Sequence, residues 1–171
     1  MDGGPVPGRS FGECEVCCTV FEIQVPEIAK PAGIPCQHLK GGCAIYDTRP
    51  DVCRHLLCGW RLIPGLPENW RPDLSGILIY QITSAEPGYA SAGFILGLAR
   101  GLAHLGDVGV LGFIQNMVKQ RVPLFLNLRV GKGEARSTFL NRPLEPFVAA
   151  NDGNGFIAML ADIIQEKQLK G

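Results

Sequence analysis

The second half of the chain alternates apolar and polar positions with two distinct periods, switching wherever glycine, proline or a charged cluster intervenes. The run Ile77-Leu78-Ile79-Tyr80-Gln81-Ile82 is β-branched and aromatic, so residues 76–83 predict a mostly buried strand. Glu86-Pro87-Gly88 predicts a turn. Residues 93–101 are apolar over a length that fits a strand or a glycine-weakened helix, and a strand is expected. From Asp107 to Gln120 the period is helical: Val110, Phe113, Ile114, Met117 and Val118 share one face, Asp107 suits the N-cap, and Pro123 is expected to stop the helix. Leu124, Leu126 and Leu128 fall on one side of a strand over 124–130. Gly131-Lys132-Gly133 then signals a hairpin into 134–140. Residues 143–150 predict a short helix, and 154–167 an amphipathic one with Phe156, Leu160, Ile163 and Ile164 inward.

The first 60 residues show no such period. They are turn-rich, and the chain carries 22 glycines and 13 prolines in all. The expected class is therefore α+β: an irregular cysteine-rich module followed by a small mixed sheet with two or three helices. The boundary is placed near residue 72, giving a metal-binding module over 1–72 and a packed α+β half over 73–171. Residues 62–67, Leu-Ile-Pro-Gly-Leu-Pro, read as a linker. Trp60 and Trp70 flank it, and aromatics so placed are expected to pin the module to its neighbour.

Composition narrows the function classes. Sixteen basic and sixteen acidic side chains balance, which leaves no basic stripe for nucleic acid. The most apolar stretch, 93–114, contains Arg100, His104 and Asp107 among glycines, so a core is expected there and not a membrane span. Met1-Asp2-Gly3-Gly4-Pro5 lacks the charged and apolar regions of a secretory leader. A cytoplasmic, reducing setting is the expectation.

All seven cysteines fall between Cys14 and Cys58: Cys14-x2-Cys17-Cys18, then Cys36, Cys43, Cys53 and Cys58. Core thiols are not gathered in this way among glycine, proline and charge. Structural disulfides are rare in a reducing compartment, an odd count leaves one thiol over, and Cys17 and Cys18 are adjacent. Metal ligation fits best, because Cys-x2-Cys lets two thiolates converge on one ion and later cysteines complete the shell. Soft sulfur donors select zinc or an iron-sulfur cluster over harder ions. Either needs four thiolates, so three of the seven are surplus and the ligating four are not fixed by spacing. His38 and His55 are expected outside the ligand set. Arg49, Arg54 and Arg61 bracket Cys53 and Cys58, where they can offset thiolate charge or pair with Asp47 and Asp51.

The cysteine phrase has a family likeness. Cys14-x2-Cys17-Cys18, Cys36, Gly42-Cys43-Ala44-Ile45-Tyr46, Arg49-Pro50, Cys53-Arg54 and Cys58 resemble the YkgJ-type cysteine-cluster family, the CxxCxxCC zinc- or iron-chelating domain. The likeness covers residues 11–62. It implies metal binding, and some relatives are linked to N-methylation of flagellin lysines. The family pattern places a cysteine at position 11, where this chain has Phe11; that puts completion of the coordination on Cys36 and beyond and speaks against a second metal site.

Local chemistry agrees with a metal module. Gly41-Gly42 supplies a turn that brings Cys43 close to the ion. Ile45-Tyr46 is expected as a short strand over the site, ended by Arg49-Pro50. Asp51 is expected to cap a short helix carrying Cys53 that ends near Cys58, with Gly59 as its stop.

The second half carries no P-loop, no G-x-G-x-x-G turn and no G-x-S-x-G elbow. His104 reads as a structural or surface histidine, and Glu145 and Asp152 stand alone. The sequence therefore points to a metal-binding protein, with a protein partner as a further possibility for the α+β half. The alternative is a redox or methyl-transfer-associated enzyme whose cysteine-bound centre takes part in the chemistry.

Overall fold

A computed structural model of the chain describes residues 4–10, 14–56, 58–98, 105–131 and 134–169. Four strands form one mixed sheet: β1 (Ile77–Thr83), β2 (Ala92–Leu98), β3 (Leu124–Gly131) and β4 (Glu134–Phe139), in the order β1-β2-β3-β4. β1 and β2 are antiparallel, as are β3 and β4, while β2 and β3 run parallel. A parallel neighbour requires a crossover, and α5 (Val108–Lys119) lies in that connection. With α6 (Asn141–Ala149) and α7 (Gly153–Leu169) it completes the helical layer. The class is α+β, as the periodicity predicts.

Alternation along the strands decides which face is buried. Ile77, Ile79, Phe94, Leu96, Leu124, Leu126 and Leu128 pack with Val110, Phe113, Ile114, Met117 and Val118 of α5, Leu144 of α6, and Phe156, Leu160 and Ile163 of α7. On the other face one register row crosses all four strands, Tyr80–Ile95–Phe125–Phe139, and stays half-buried.

Pro123 is not what ends α5. The helix stops at Lys119, and the chain turns through Arg121 in the left-handed region (φ 53°) before the proline is reached. Asp107 does occupy the N-cap position. The next helix begins at Asn141, two residues before the proline expected to open it. The fully buried Asn141 amide accepts from Leu124 N–H at 2.8 Å and donates to Val122 carbonyl at 2.9 Å, tying α6 to the start of β3. Lys132 and Gly133 of the expected hairpin turn, together with Arg100 and His104, lie outside the described residues.

The N-terminal region consists of short pieces. These are α1 (Val16–Val20), α2 (Asp51–His55), α3 (Gly59–Leu62), α4 (Pro72–Ser75) and three single 3-10 turns. Between residues 14 and 56 the only buried hydrophobic side chain among those described is Ile28. The region is held to the sheet at its β1 edge. Cys58 makes an antiparallel bridge to Tyr80, and Cys58, Trp60 and Leu78 form a second small core against which Val16, Cys17, Val20 and Phe21 pack. Trp70 meets Phe113 at 5.5 Å, so both tryptophans do join the two regions. Residues 62–67 are not a free linker, since Ile63 packs on the main core and Leu66 touches both clusters.

Candidate metal centre

Local turns bring the cysteines together. α1 carries Cys17 and Cys18, with Cys14 just ahead of it. Cys36 N–H donates to the Cys18 carbonyl at 2.9 Å, which lays the Cys36 segment against the end of α1. Gly41 and Gly42 both take positive φ, 67° and 125°. That reversal lets Leu39 and Cys43 pair across it, returning Cys43 towards Cys36. α2 supplies Cys53 from its middle turn.

Two local expectations fail here. Residues 45–46 are not a strand: Tyr46–Thr48 is a 3-10 turn, closed by Tyr46 N–H on Cys43 carbonyl and Thr48 N–H on Ile45 carbonyl. Tyr46 is exposed, with the Arg49 guanidinium 3.7 Å from its ring centroid. Nor does α2 run to Cys58. It ends at His55 because Leu56 and Cys58 are extended, and the bridge from Cys58 to Tyr80 draws the chain onto the β1 edge. Gly59 therefore opens α3 instead of closing α2. A side chain there would collide with Ile79, 2.6 Å from its Cβ position.

Six thiols, those of Cys14, Cys17, Cys18, Cys36, Cys43 and Cys53, line one cavity of about 240 Å³. Its remaining wall is mainly apolar and includes Ile28, Leu39, Ile45 and Tyr80, with Glu15, Glu22 and Arg49 contributing charge. Cys58 is buried beside the cavity, in the Trp60 cluster. Neither His38 nor His55 lines the cavity. None of the seven cysteines is disulfide-bonded. Among the described residues, no group of three or more His, Cys, Asp or Glu side chains is placed so that it could hold a metal ion. The thiols ring a space without closing on a point.

Their electrostatics divide them. Burial raises Cys53 above the ordinary thiol range, and the neighbouring Cys18, Cys36 and Cys43 raise it further. The Cys17 thiol donates to Cys18; this bond raises Cys17 and lowers Cys18 to about 7. Burial also raises Cys17, as do Cys14 and Cys58. Burial raises Cys14 and Cys58, opposed by backbone N–H groups that donate to each sulfur: Val16 and Asp73 to Cys14, and Trp60 and Arg61 to Cys58.

Compared with family models, curated proteins and solved structures, the chain matches none. The site must therefore be judged from its own residues.

Two of the three bracketing arginines act on a thiol. Arg49 acts on Cys53 and Arg61 on Cys58. Arg54 instead donates to the backbone carbonyls of Arg49 (2.7 Å) and Asp47 (2.8 Å), bracing the turn before α2.

Sequence reasoning missed several supporting groups. Lys30 is buried and its ammonium donates to the carbonyls of Thr19 (3.1 Å), Phe21 and Pro31 (3.3 Å), fixing the chain after α1. It also helps to lower Cys18. The Arg9 guanidinium donates to the carbonyls of Trp60, Ile63 (3.0 Å) and Leu66, clasping the segment that presents Cys58. Asp73 accepts the Cys14 thiol proton and two bonds from Arg71, at 2.7 and 3.0 Å. No pattern in the sequence links these residues to the cysteines. Glu145 and Asp152 prove structural: Glu145 accepts from Tyr89 at 2.7 Å, and Asp152 from Gly155 N–H at the start of α7.

The donor set fits a thiophilic ion. The cavity wall offers more sulfur than four ligands need, backbone N–H groups that donate to Cys14, and the Arg49 cation beside Cys53. Protonated thiols gain nothing by converging, whereas thiolates converge around a cation that balances their charge.

Proposed function

We propose that this chain is a metal-binding protein that holds zinc or an iron-sulfur cluster through Cys18, Cys36, Cys43 and Cys53. The observation that carries the reading is six thiols around one cavity in a region that buries a single aliphatic side chain, Ile28. Burying one such side chain contributes about 1.5–3 kcal/mol. Ordering the backbone costs about 1–2 kcal/mol for every residue. A thiolate-bound ion supplies the missing cross-link, worth roughly 10–16 kcal/mol in small zinc modules. The four named cysteines are preferred because Cys18, Cys36 and Cys43 all act on Cys53, and backbone pairing holds Cys36 to Cys18. The likeness to the YkgJ-type family supports the same reading.

Arg49, at the cavity wall, offsets part of the charge of four thiolates, and Lys30 fixes the backbone next to Cys18. Such a centre belongs in a reducing compartment such as the cytoplasm. No helix among the described residues is long and apolar enough to cross a membrane.

A second reading has one observation in its favour. The Cys17–Cys18 thiol pair, with Cys18 lowered to about 7, suits a centre that takes part in redox or methyl-transfer chemistry. Anaerobic purification with metal and acid-labile sulfide analysis tests the main proposal. Zinc, or iron with sulfide, retained through desalting supports it, and a chain that retains neither refutes it. Turnover-dependent modification of Cys18 would favour the second reading.

A further inference from the structure

A thiolate-bound ion accounts for the sulfurs of the cavity and leaves its carbon wall unexplained. Phe21, Ile23, Leu39, Ile45, Leu56 and Tyr80 all line that space, and each is only half-buried. Ile28, the one buried hydrophobic side chain among those described between residues 14 and 56, lines it too. Tyr46 and Val52 also belong to the lining and are 48% and 44% exposed, so they mark its opening to solvent. Apolar side chains gathered about a hollow, with others left in water at its rim, are the usual form of a site that takes an apolar guest.

Size and wall chemistry narrow the class of guest. About 240 Å³ exceeds the ~150 Å³ apolar cavity that takes benzene and falls below the ~300 Å³ at which pockets for larger ligands begin. One ring with a short substituent, or two fused rings, fills such a space. Phe21 and Tyr80, the latter on β1, meet edge to face at 4.6 Å and offer a planar guest the same kind of packing. Sulfur is polarisable and packs well against ring edges. A wall that mixes thiols with aromatic rings therefore favours an aromatic guest over an aliphatic one of equal volume. Charge selects against ions. Glu15 and Glu22 line the cavity beside the thiols and oppose an anion. The Arg49 guanidinium, 3.7 Å from the Tyr46 ring centroid, already covers the ring that would receive a cation at the opening.

We infer that this cavity is a binding site for a small neutral aromatic molecule of one or two fused rings, held by the Phe21–Tyr80 pair and the aliphatic wall of Ile28, Leu39 and Ile45. The inference goes beyond the metal-binding reading, since it rests on the carbon wall and asks nothing of the thiols except packing. Binding is non-covalent, driven by taking the ring and the half-buried side chains out of water together.

The test is titration of the full chain, purified anaerobically under reducing conditions, with indole as the probe and methyl-labelled NMR as the readout. Ring-current shifts are expected at the methyls of Ile28, Leu39, Ile45 and Val52, and none at Leu126 or Leu144 of the sheet core. Ile45→Trp adds bulk at the wall and should weaken binding at least about tenfold. Tyr46→Ala should weaken it about fivefold; it alters an exposed side chain, so it covers the event that Ile45→Trp fails to fold. Tryptamine and indole-3-acetate should both bind more weakly than indole, and cyclohexanol more weakly than phenol. Absence of shifts at the cavity methyls with millimolar indole overturns the inference. So do shifts spread equally over both cores, or affinity unchanged in both variants. Tighter binding of either charged relative, or of cyclohexanol, overturns the neutral aromatic class. Metal retained without indole binding removes this inference and leaves the metal reading standing; indole bound at these methyls in a chain that retains no metal does the reverse.

Discussion

The sheet half and the cysteine module of this protein are organised on opposite principles. The sheet buries Phe94, Leu96, Leu124, Leu126 and Phe156 almost completely, beneath helices whose apolar faces match its own. The module between residues 14 and 56 buries Ile28 and the stem of Lys30, and otherwise relies on turns, carbonyl clasps and thiols. In the sheet, stability is spread over many contacts, so that no single group decides whether it folds. In the module it is concentrated in a few atoms, the Lys30 clasp and the thiols that line the cavity among them.

The largest effect expected from this contrast comes from metal removal. Stripping the ion with a chelator should collapse amide protection over residues 14–56 while β1–β4 keep theirs, as read by hydrogen exchange with mass spectrometry. The loss corresponds to roughly the 10–16 kcal/mol that such ions contribute. Uniform loss across both halves would break the comparison.

Core truncation should show the reverse asymmetry. Leu126→Ala, at a fully buried position in the middle of β3, should cost about 2–5 kcal/mol of global stability by denaturant unfolding. Ile28→Ala should cost less in the metal-bound protein, because the ion carries the module.

The seam between the halves is tested by Gly59→Val. The new side chain would meet Ile79 within 3 Å of its Cβ position. A cost of about 1–3 kcal/mol is expected, with faster exchange at both Cys58 and the β1 edge. A neutral result would mean that α3 does not lie on β1 as described.

An effect of the same order is expected at Asn141. Asn141→Ala removes the acceptor of Leu124 N–H and the donor to the Val122 carbonyl, both at the entry to β3. About 1–3 kcal/mol should be lost, with no change in metal content.

Much of the sheet half was legible because periodicity reports burial directly. Leu124, Leu126 and Leu128 alternate as a strand with one covered face must, and Val110, Phe113, Ile114, Met117 and Val118 recur as one helical face. The errors arose where a backbone conformation or a distant partner decided the outcome. α5 ends through Arg121 in the left-handed region, which that residue type does not announce, while Pro123 two positions later looked like the stop. Asn141 gave no signal, since its partners lie seventeen and nineteen positions away.

The module was legible in its residues and not in its shape. Clustering of cysteines marks the thiols that line the cavity, and the pair Gly41-Gly42 marks the turn before Cys43. The strand expected at Ile45-Tyr46 and the short helix expected to reach Cys58 both failed for one reason. A region without a hydrophobic period takes its conformation from tertiary ties such as the Cys58–Tyr80 bridge and the Lys30 carbonyl clasp. The difference between adjacent Cys17 and Cys18 could not be read from spacing either, because it follows from the hydrogen bond that one thiol donates to the other.

The central claim, that an ion and not a hydrophobic core organises the module, is tested most directly by purifying the chain anaerobically and measuring metal content and residue-level hydrogen exchange on the same sample. The account predicts tightly held zinc, or iron with sulfide, and slow exchange around Cys18, Cys36, Cys43 and Cys53 that disappears on chelation. A metal-free chain whose residues 14–56 exchange as slowly as the sheet would contradict it.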